Sequence, residues 1–305
     1  MSSNLFQPFV SIIIPVYNGQ SCVEKCIQAV LEQDYPRDKY EIIIIDNGSI
    51  DQTLDIINKY PVIVLQENVI HTSYAARNKG VIIAKGEILA FTDADCVPKS
   101  NWVSQGVGCF SNPNVAMVGG KICFSFSSKK TAAEMLDSLI NLHNESSILH
   151  KSAAKTANLF VRREIFEAIG LFRLDQKSGE DIAWTGRASR VGYKIIFCHN
   201  AIVVHPARSI IQLLKKHFRV GTGSVEVWKS QGRGSIWIII RWCSLFLPLL
   251  SIRIPHLVKK RGDKELVYPI IKMMGIVWLC TIATACGILL SNHVSGFSTN
   301  TKGLI

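Results

Sequence analysis

The sequence predicts an α/β fold in which a sheet with parallel strands carries helices on both faces. Over the first 91 residues, short continuous apolar runs alternate with stretches whose apolar residues recur at helical spacing. Continuous apolar runs are typical of strands buried on both faces, and the strand–helix alternation is typical of parallel connections. Ligands of such sheets bind beyond the carboxyl ends of the strands, so polar residues there are candidates for a site.

The first half of the chain contains four predicted strands and three predicted helices. Ser21 and Glu24 have the spacing of a capping box, which predicts that the first helix begins near Ser21. Asp46 ends the second strand, and Asp51 is an N-cap candidate for the second helix. The predicted strands are residues 10–14, 41–45, 61–65 and 87–91, and the predicted helices are residues 21–33, 51–59 and 73–83.

The second half of the chain has a less regular pattern. Gly170 and Gly192 follow helical stretches and are predicted to end them, because glycine readily adopts the left-handed conformation found there. The predicted strands are residues 115–126, 158–162, 194–198 and 201–204, and the predicted helices are residues 131–149, 164–169 and 180–191.

Charge is distributed unevenly along the chain. The net charge is +11, yet residues 205–264 contain twelve Lys or Arg against two acidic residues, and the first 204 residues are neutral overall. A nucleic-acid-binding domain would carry its basic residues on the fold, so this pattern argues against nucleic acid as a partner. It indicates a basic tail that contacts anionic lipid. The nine cysteines include no Cys-x-x-Cys pair, which indicates a reducing compartment.

Two apolar segments in the tail predict membrane association. Residues 236–252 include Arg241 and Pro248, which favour an interfacial or re-entrant helix over a span. Residues 273–290 are uncharged, which is long enough for a transmembrane helix at about 270–291. The basic link between the segments favours a cytoplasmic position for the link and for the preceding domain. Two buried core helices of a soluble protein are the alternative.

These patterns predict a large domain followed by a tail. The 305 residues suffice for one large α/β domain plus an appendage. We expect the domain to occupy residues 1–230, with halves at about 1–110 and 111–230. The membrane-associated tail would then occupy residues 231–305.

Asp93 and Asp95 directly follow the fourth predicted strand. Alternate residues of a strand point to the same side, so both carboxylates can face one site. Two such carboxylates repel each other, whereas Mg²⁺ or Mn²⁺ prefers oxygen ligands and keeps positions open for phosphate oxygens. The pair therefore predicts a metal ion that carries a diphosphate. The alternative is a pair of solvated loop carboxylates.

Five short motifs follow one another along the chain: SIIIPVYN (11–18), IDNGSIDQT (45–53), ARNKG (76–80), DAD (93–95) and GED (179–181). In this order they resemble the motifs of family 2 inverting glycosyltransferases with the GT-A fold. A further segment, residues 158–166 followed by Gly170-Leu171-Phe172, is similar to the stretch that this family carries before its Glu-Asp motif. The match covers residues 10 to about 220.

The resemblance implies a nucleotide-sugar donor held at the strand ends. Pro15 and Tyr17 follow the first strand, where an aromatic ring can lie against a nucleobase. Asp46 would accept an N–H of a uracil-like ring, although Asn47 stands where the family often has a second aspartate. Arg77 would contact the diphosphate or the base side of the donor; a solvated helix residue is the alternative.

The resemblance assigns metal contacts as well. Asp93 would approach the ribose and the metal, and Asp95 would bind the metal directly. His205 follows a strand at a position where related transferases often place a histidine near the metal. A purely structural histidine is the competing interpretation.

The Glu-Asp motif indicates the catalytic base. Inversion requires one carboxylate to deprotonate the acceptor hydroxyl as it attacks, and Asp181 is the candidate. It opens a helix, where the dipole favours the ionised form. Glu180 would hold the acceptor, and Trp184 is either an acceptor platform or part of the core. Two acids that only cap the helix are the alternative for the motif.

The combined prediction is a membrane-associated, metal-dependent inverting glycosyltransferase with a cytoplasmic catalytic domain. It would transfer a sugar from a uridine-linked nucleotide donor to a glycan or lipid-linked acceptor. Mg²⁺ or Mn²⁺ would be the cofactor. The Gln-x-x-Arg-Trp motif of processive relatives is absent from the sequence, which favours transfer of a single sugar. A polyprenyl-phosphate glycosyltransferase and a non-catalytic nucleotide-sugar-binding protein are the other hypotheses.

Overall fold

The computed structural model describes residues 6–174, 176, 178–230, 240, 243–245, 253–261 and 269–297. Within these residues it confirms the α/β fold with a mixed sheet flanked by helices. The strands are β1 (Val10–Val16), β2 (Tyr40–Asp46), β3 (Ile63–Gln66), β4 (Ile88–Thr92), β5 (Val97–Pro98), β6 (Val115–Ser125), β7 (Asn158–Arg162) and β8 (Lys194–Pro206).

The described helices surround this sheet and continue into the tail. They are α1 (Val23–Leu31), α2 (Thr53–Ile57), α3 (Ser73–Ile83), α4 (Trp102–Gly108), α5 (Ala132–Ile140), α6 (Asn144–Lys151), α7 (Arg163–Ile169), α8 (Glu180–Arg190), α9 (Ile210–Ser230), α10 (Arg253–Arg261) and α11 (Ile270–Phe297).

The sheet has eight strands in the order β3-β2-β1-β4-β7-β6-β8-β5. Strands β3, β2, β1 and β4 are parallel, as the alternation of strands and helices predicts. Strand β7 runs antiparallel to both β4 and β6, and β8 is parallel to β6. The carboxyl ends of β1, β2 and β4 therefore lie side by side at one edge, which brings their polar motifs together.

The core has two layers because successive strand residues point to opposite faces of the sheet. Ile12 and Ile14 of β1 belong to one apolar cluster with residues of α1 and α4. Ile13 belongs to the other cluster, with residues of α3, α7 and α8. All seven residues of β1 and all seven of β2 are buried, which explains their continuous apolar runs.

Three local predictions were wrong. The first helix begins at Val23, and neither Ser21 nor Cys22 provides a side-chain cap. The helix predicted at 131–149 is two helices, α5 and α6, because Leu142 between them adopts a left-handed backbone with a φ of 56°. The strands predicted at 194–198 and 201–204 are one strand, β8, with an irregularity in its pairing to β6.

The described chain divides into two compact units. The first contains the sheet with α1–α4 and α6–α8, and the second contains α5, α9, α10 and α11. The predicted domain boundary at residue 230 stays a prediction. The helix predicted at 236–252 lies outside the described residues, except for residues 240 and 243–245.

Within the second unit, α9 and α11 approach each other closely. A Cβ atom on Gly221 would lie 2.2 Å from the carbonyl oxygen of Thr284, and one on Gly287 would lie 2.2 Å from that of Phe218. Small residues that allow such backbone contact are typical of helix pairs in membranes. Residues 270–290 of α11 form the one described helix that is long and apolar enough to cross a membrane.

Candidate active site

Asp46 ends β2, and its two carboxylate oxygens differ in their hydrogen bonding. Its Oδ2 accepts hydrogen bonds from the backbone N–H groups of Gly48 (3.2 Å) and Ser49 (3.0 Å). Gly48 has a φ of 79°, a conformation that glycine adopts without strain. The buried Oδ1 of Asp46 has no hydrogen-bond partner within the described chain. A buried acceptor of this kind suits a ligand N–H group, as predicted for a nucleobase.

The loop after β1 is tied to the loop after β2. Asn18 donates its backbone N–H to Ser49 Oγ at 2.8 Å, and its Oδ1 accepts from the N–H of Ile50 at 2.9 Å. Pro15 is paired within the sheet, whereas the Tyr17 side chain is 60% exposed. The ring of Tyr17 is therefore open to stack on a flat ligand at this edge.

Arg77 and Asp93 form an ion pair, with Arg77 Nη2 2.5 Å from Asp93 Oδ1. Arg77 lies buried on α3, and its Nε has no hydrogen-bond partner among the described residues. The structure thus brings together two residues that the motifs predicted separately. A buried guanidinium with an unused N–H group can also bind a phosphate oxygen.

Asp95 and His205 face each other across the sheet edge. The distance between Asp95 Oδ2 and His205 Nε2 is 3.3 Å, and Asp95 is 39% exposed while His205 is buried. Neighbouring ligands of an octahedral Mg²⁺ lie about 3 Å apart, so these two donor atoms fit a divalent metal. Cys96 is adjacent and fully buried, and burial raises the pKa of its thiol well above the usual value.

The two residues would leave most of the metal's coordination positions open. Across the described ranges, no group of three His, Cys, Asp or Glu side chains could hold a metal ion. Mg²⁺ commonly takes one or two carboxylates and completes its shell with water and substrate phosphates. Two protein ligands beside an open edge match that pattern.

Asp181 lies half-buried at the start of α8. Its Oδ1 accepts from the N–H of Ile182 (2.9 Å), and its Oδ2 accepts from that of Thr156 (3.4 Å). Burial raises the pKa of the Asp181 carboxyl, and the nearby charge of Arg77 opposes that rise. A carboxylate with a raised pKa is a stronger base, which suits removal of a proton from a hydroxyl group.

Glu180 differs from its neighbour because its carboxylate is already paired. The side chain is fully buried, and Oε1 accepts from Arg187 Nη2 at 2.7 Å and from the N–H of Arg173 at 3.0 Å. Glu180 therefore ties the segment before α8 to the body of the helix. Its predicted contact with the acceptor stays a prediction.

The structure places Trp184 in the core and not on an acceptor surface. Its ring is fully buried and stacks on Phe166, with centroids 4.2 Å apart. Its indole N–H donates to the carbonyl oxygen of Gly170 at 2.7 Å. Of the two roles left open by the sequence, the core role is the one that this burial allows.

Tyr74 and Lys155 also contact the Asp181 region, and the motifs did not identify them. The Tyr74 hydroxyl accepts from the N–H of Glu180 at 3.0 Å, and it donates to Asp181 Oδ1 at 3.5 Å. Lys155 donates to Ser147 Oγ at 2.9 Å; burial lowers the pKa of its ammonium and the charge of Asp181 opposes this. Tyr74 could have been found from its spacing, since residues i and i+3 share a helix face and Arg77 follows three residues later.

The fold and these residues define an enzyme of the glycosyltransferase class, and sequence comparison identifies the family. Residues 11–177 match the model of Glycosyl transferase family 2. The chain is 38% identical over 299 residues to glycosyltransferase AglE of Haloferax volcanii, covering 94% of this chain and 96% of that protein. The chain therefore belongs to glycosyl transferase family 2. This confirms the predicted family and an enzyme in preference to a non-catalytic binding protein.

A second relative has a name that describes its substrates. A dolichyl N-acetyl-α-D-glucosaminyl phosphate 3-β-D-2,3-diacetamido-2,3-dideoxy-β-D-glucuronosyltransferase of Methanococcus voltae is 25% identical over 306 residues. The match covers 90% of this chain and 95% of that protein. Both relatives align over nearly their whole length.

Solved structures of glycosyltransferases share the fold. The mannosyltransferase PcManGT of Pyrobaculum calidifontis, solved with GDP-Man and Mn²⁺, has a TM-score of 0.64 at 21% identity. The alignment covers 93% of this chain and 88% of that one. S. aureus TarS 1–349, in complex with UDP, has a TM-score of 0.53 at 16% identity, covering 97% and 94%. These similarities confirm the predicted GT-A fold.

Proposed function

We propose that this enzyme transfers a single sugar, with inversion, from a nucleotide-sugar donor to the hydroxyl group of a lipid-linked acceptor. The observation that carries the proposal is the position of Asp181. It is a half-buried carboxylate whose pKa is raised by burial, and the Arg77–Asp93 ion pair is close enough to influence that pKa. A base beside a diphosphate site is the arrangement that inverting transfer requires.

The donor would bind at the carboxyl ends of β1, β2 and β4. Asp46 Oδ1 would accept an N–H of the base, Tyr17 would stack on it, and Pro15 would support that loop. Arg77 would contact the diphosphate and Asp93 the ribose. The uracil of a uridine nucleotide has one ring N–H group, which matches the Asp46 oxygen that has no partner among the described residues, so uridine is the proposed nucleoside.

Asp95 and His205 would hold Mg²⁺ or Mn²⁺, with Asp93 nearby. When bound, the ion neutralises charge on the departing nucleoside diphosphate. The residues of the chain hold the donor and the catalytic carboxylate in place. Asp181 removes the proton of the acceptor hydroxyl group. At the same time, the acceptor oxygen attacks the anomeric carbon on the face opposite the leaving group.

A lipid-linked acceptor is supported by three observations. Helix α11 is long and apolar enough to span a membrane, residues 205–264 are strongly basic, and the Methanococcus voltae relative acts on a dolichyl-phosphate-linked sugar by name. We propose that the enzyme is bound to the membrane with its active site in the cytoplasm. Glu180 would support the acceptor side through its pairing with Arg187.

The decisive experiment is a transfer assay on the full chain in detergent. A panel of UDP- and GDP-sugars is first screened by thermal shift with Mn²⁺, and each binder is then tested with polyprenyl-linked sugar acceptors. We expect one UDP-sugar to stabilise the protein and to be transferred, with NMR showing the anomeric configuration inverted. Retention of configuration, or no transfer from any donor that binds, would contradict the proposal.

Lys155 favours a second candidate function, transfer to a polyprenyl phosphate. Its ammonium lies close enough to Asp181 to interact with it, and a phosphate acceptor needs such a cation. A phosphate is already ionised and needs no base, so Asp181→Asn separates the two functions. Full activity of that variant with a polyprenyl phosphate acceptor would favour the second.

Cysteine labelling tests the proposed orientation. In a cysteine-free background, Gly262→Cys should react with an impermeant maleimide only after the membrane is permeabilised, because the link at 253–264 is too basic to cross readily. Asn300→Cys should react in intact cells. Labelling of position 262 from outside would show that residues 236–252 span the bilayer and that this topology is wrong.

A further inference from the structure

The second unit contains a cavity of about 610 Å³ that the site above does not use. It lies among the first residues of α5, the first residues of α9 and one face of α11. The volume is within the range of small-molecule sites, roughly 300–1,000 Å³. Most of its lining is apolar, including Ala132, Ala133, Ile210, Ile276 and Leu279.

The hydroxyl groups at the cavity are engaged in helix capping. Thr131 Oγ1 bonds to Glu134 Oε2 at 2.9 Å and accepts from the N–H of Glu134 at 3.3 Å. Ser209 Oγ accepts from the N–H of Gln212 at 3.4 Å. Because these groups already have partners, they offer little to a polar ligand.

Among the described residues that line the cavity, Lys272 is the charged one and none is acidic. In the described part of the chain, its Nζ has no hydrogen-bond or ion-pair partner. Lys272, Gly275, Ile276 and Leu279 are spaced i, i+3, i+4 and i+7, so they form one stripe along α11. The stripe begins with a cation and continues with apolar residues for about 10 Å at 1.5 Å per residue.

We propose that this cavity binds the lipid chain of the acceptor, an isoprenoid attached to phosphate, with the phosphate at Lys272. The stripe is complementary to such a molecule in both charge and polarity. A phospholipid fits less well, since its two ester groups would meet capped hydroxyls and apolar carbon. The proposal rests on the lipid-linked acceptor of the proposed function and names the part of the protein that recognises its lipid.

Photolabelling provides a direct readout of this binding. The probe is geranylgeranyl phosphate with a diazirine at the end of its chain, added to the full chain in dodecyl maltoside. Cross-linked peptides are identified by mass spectrometry. We expect labelled residues in α11 between 272 and 279 or at the starts of α5 and α9. Competition with unlabelled geranylgeranyl phosphate, geranylgeraniol and phosphatidylglycerol then defines which chemical groups are recognised.

Gly275→Leu is the variant that fills the cavity. A Cβ atom at Gly275 meets no other atom within 4 Å, so a larger side chain enters the space without displacing the fold. Ile271→Phe is the matched control, because Ile271 is on the same helix, is 84% exposed and does not line the cavity. Lys272→Gln removes the charge alone.

We expect Gly275→Leu to reduce labelling at least about tenfold and Ile271→Phe to leave it unchanged. Lys272→Gln should bind geranylgeranyl phosphate and geranylgeraniol equally, whereas the wild type should prefer geranylgeranyl phosphate. Undiminished labelling of Gly275→Leu, or equal competition by phosphatidylglycerol, would overturn the lipid site.

Transfer assays separate failure of this site from failure of the proposed function. Transfer to a lipid-linked acceptor with an unchanged KM in Gly275→Leu would contradict the site and keep the function. Specific labelling without transfer from any nucleotide sugar would contradict the function and keep the lipid site.

Discussion

The carboxylates on the two sides of the candidate active site have different surroundings. On the proposed donor side, Asp46 accepts two backbone N–H bonds and Asp93 pairs with Arg77. On the proposed acceptor side, Asp181 is half-buried, and burial raises its pKa. Glu180, next to it, is paired with Arg187.

We propose that this difference separates binding from catalysis. Carboxylates whose oxygens are held by N–H groups or by a guanidinium are fixed in orientation, which suits the recognition of a base, a ribose or a metal. Burial destabilises the charged form of a carboxylate, so the group is stabilised when it takes up a proton. This suits a general base. The contrast leads us to expect large effects on turnover from Asp181 and large effects on binding from the donor side.

The largest expected effect is that of Asp181→Asn on turnover. Loss of the base should reduce kcat by between about a hundredfold and about ten-thousandfold, with donor affinity near the wild-type value. Steady-state kinetics and donor titration measure the two quantities. Asp55→Asn, an exposed acid on α2, is the control. Wild-type turnover would exclude Asp181 as the base.

Asp181→Asn should be more stable than the wild type at pH values above the ordinary pKa of aspartate. Because the folded-state pKa of Asp181 is raised, the wild type loses stability as pH rises from the unfolded value, 3.8, through the folded value. Asparagine has no charge to bury. We therefore expect a higher Tm for Asp181→Asn at pH 8 and a smaller difference at pH 4. An equal difference at both pH values would contradict the raised pKa.

Asp95→Ala should act on binding. We expect the affinity for a nucleoside diphosphate in the presence of Mn²⁺ to fall at least about a hundredfold, because one of two protein ligands is lost. Isothermal titration with and without Mn²⁺ measures this, and circular dichroism checks the fold. Asp55→Ala serves as the control. An unchanged metal-dependent affinity would remove Asp95 from the metal site.

A smaller effect is expected for Tyr74→Phe, which removes a hydroxyl that donates to Asp181 Oδ1. Losing a donor to the charged form disfavours that form, so the acid limb of the kcat profile should move to higher pH. A bond worth about 1 kcal/mol corresponds to about a fivefold lower rate on the acid side. An equal loss of rate at every pH would indicate a merely structural tyrosine.

The smallest effect on catalysis is expected for Trp184→Phe. It removes the indole bond to Gly170 and leaves a small cavity, so the free energy of unfolding should fall by about 1–3 kcal/mol. The KM for acceptor should stay unchanged. Trp102→Phe is a matched comparison, since Trp102 is also fully buried and donates to Asn158 Oδ1 at 2.8 Å. A raised acceptor KM in Trp184→Phe alone would return Trp184 to the acceptor side.

Secondary-structure elements were predicted correctly where burial alone decides the pattern of apolar residues. Strand Asn158–Arg162 and helix Ser73–Ile83 have the predicted bounds, because their ends coincide with clear changes in polarity. It failed at Leu142, whose left-handed backbone interrupts a stretch that is apolar at helical spacing. Periodicity reports which face is buried and does not report a turn between two helices that are both amphipathic.

The sequence by itself determined the family, the sheet edge that holds the candidate site, and most of the candidate residues at that edge. These follow from local patterns, because parallel strands end at a common edge and short motifs mark those ends. Only the tertiary structure decided the state of each side chain. It left one oxygen of Asp46 without a partner among the described residues, placed His205 beside Asp95, paired Glu180 with Arg187 and buried Trp184. Burial and pairing depend on residues that are distant in sequence, so local patterns do not contain them.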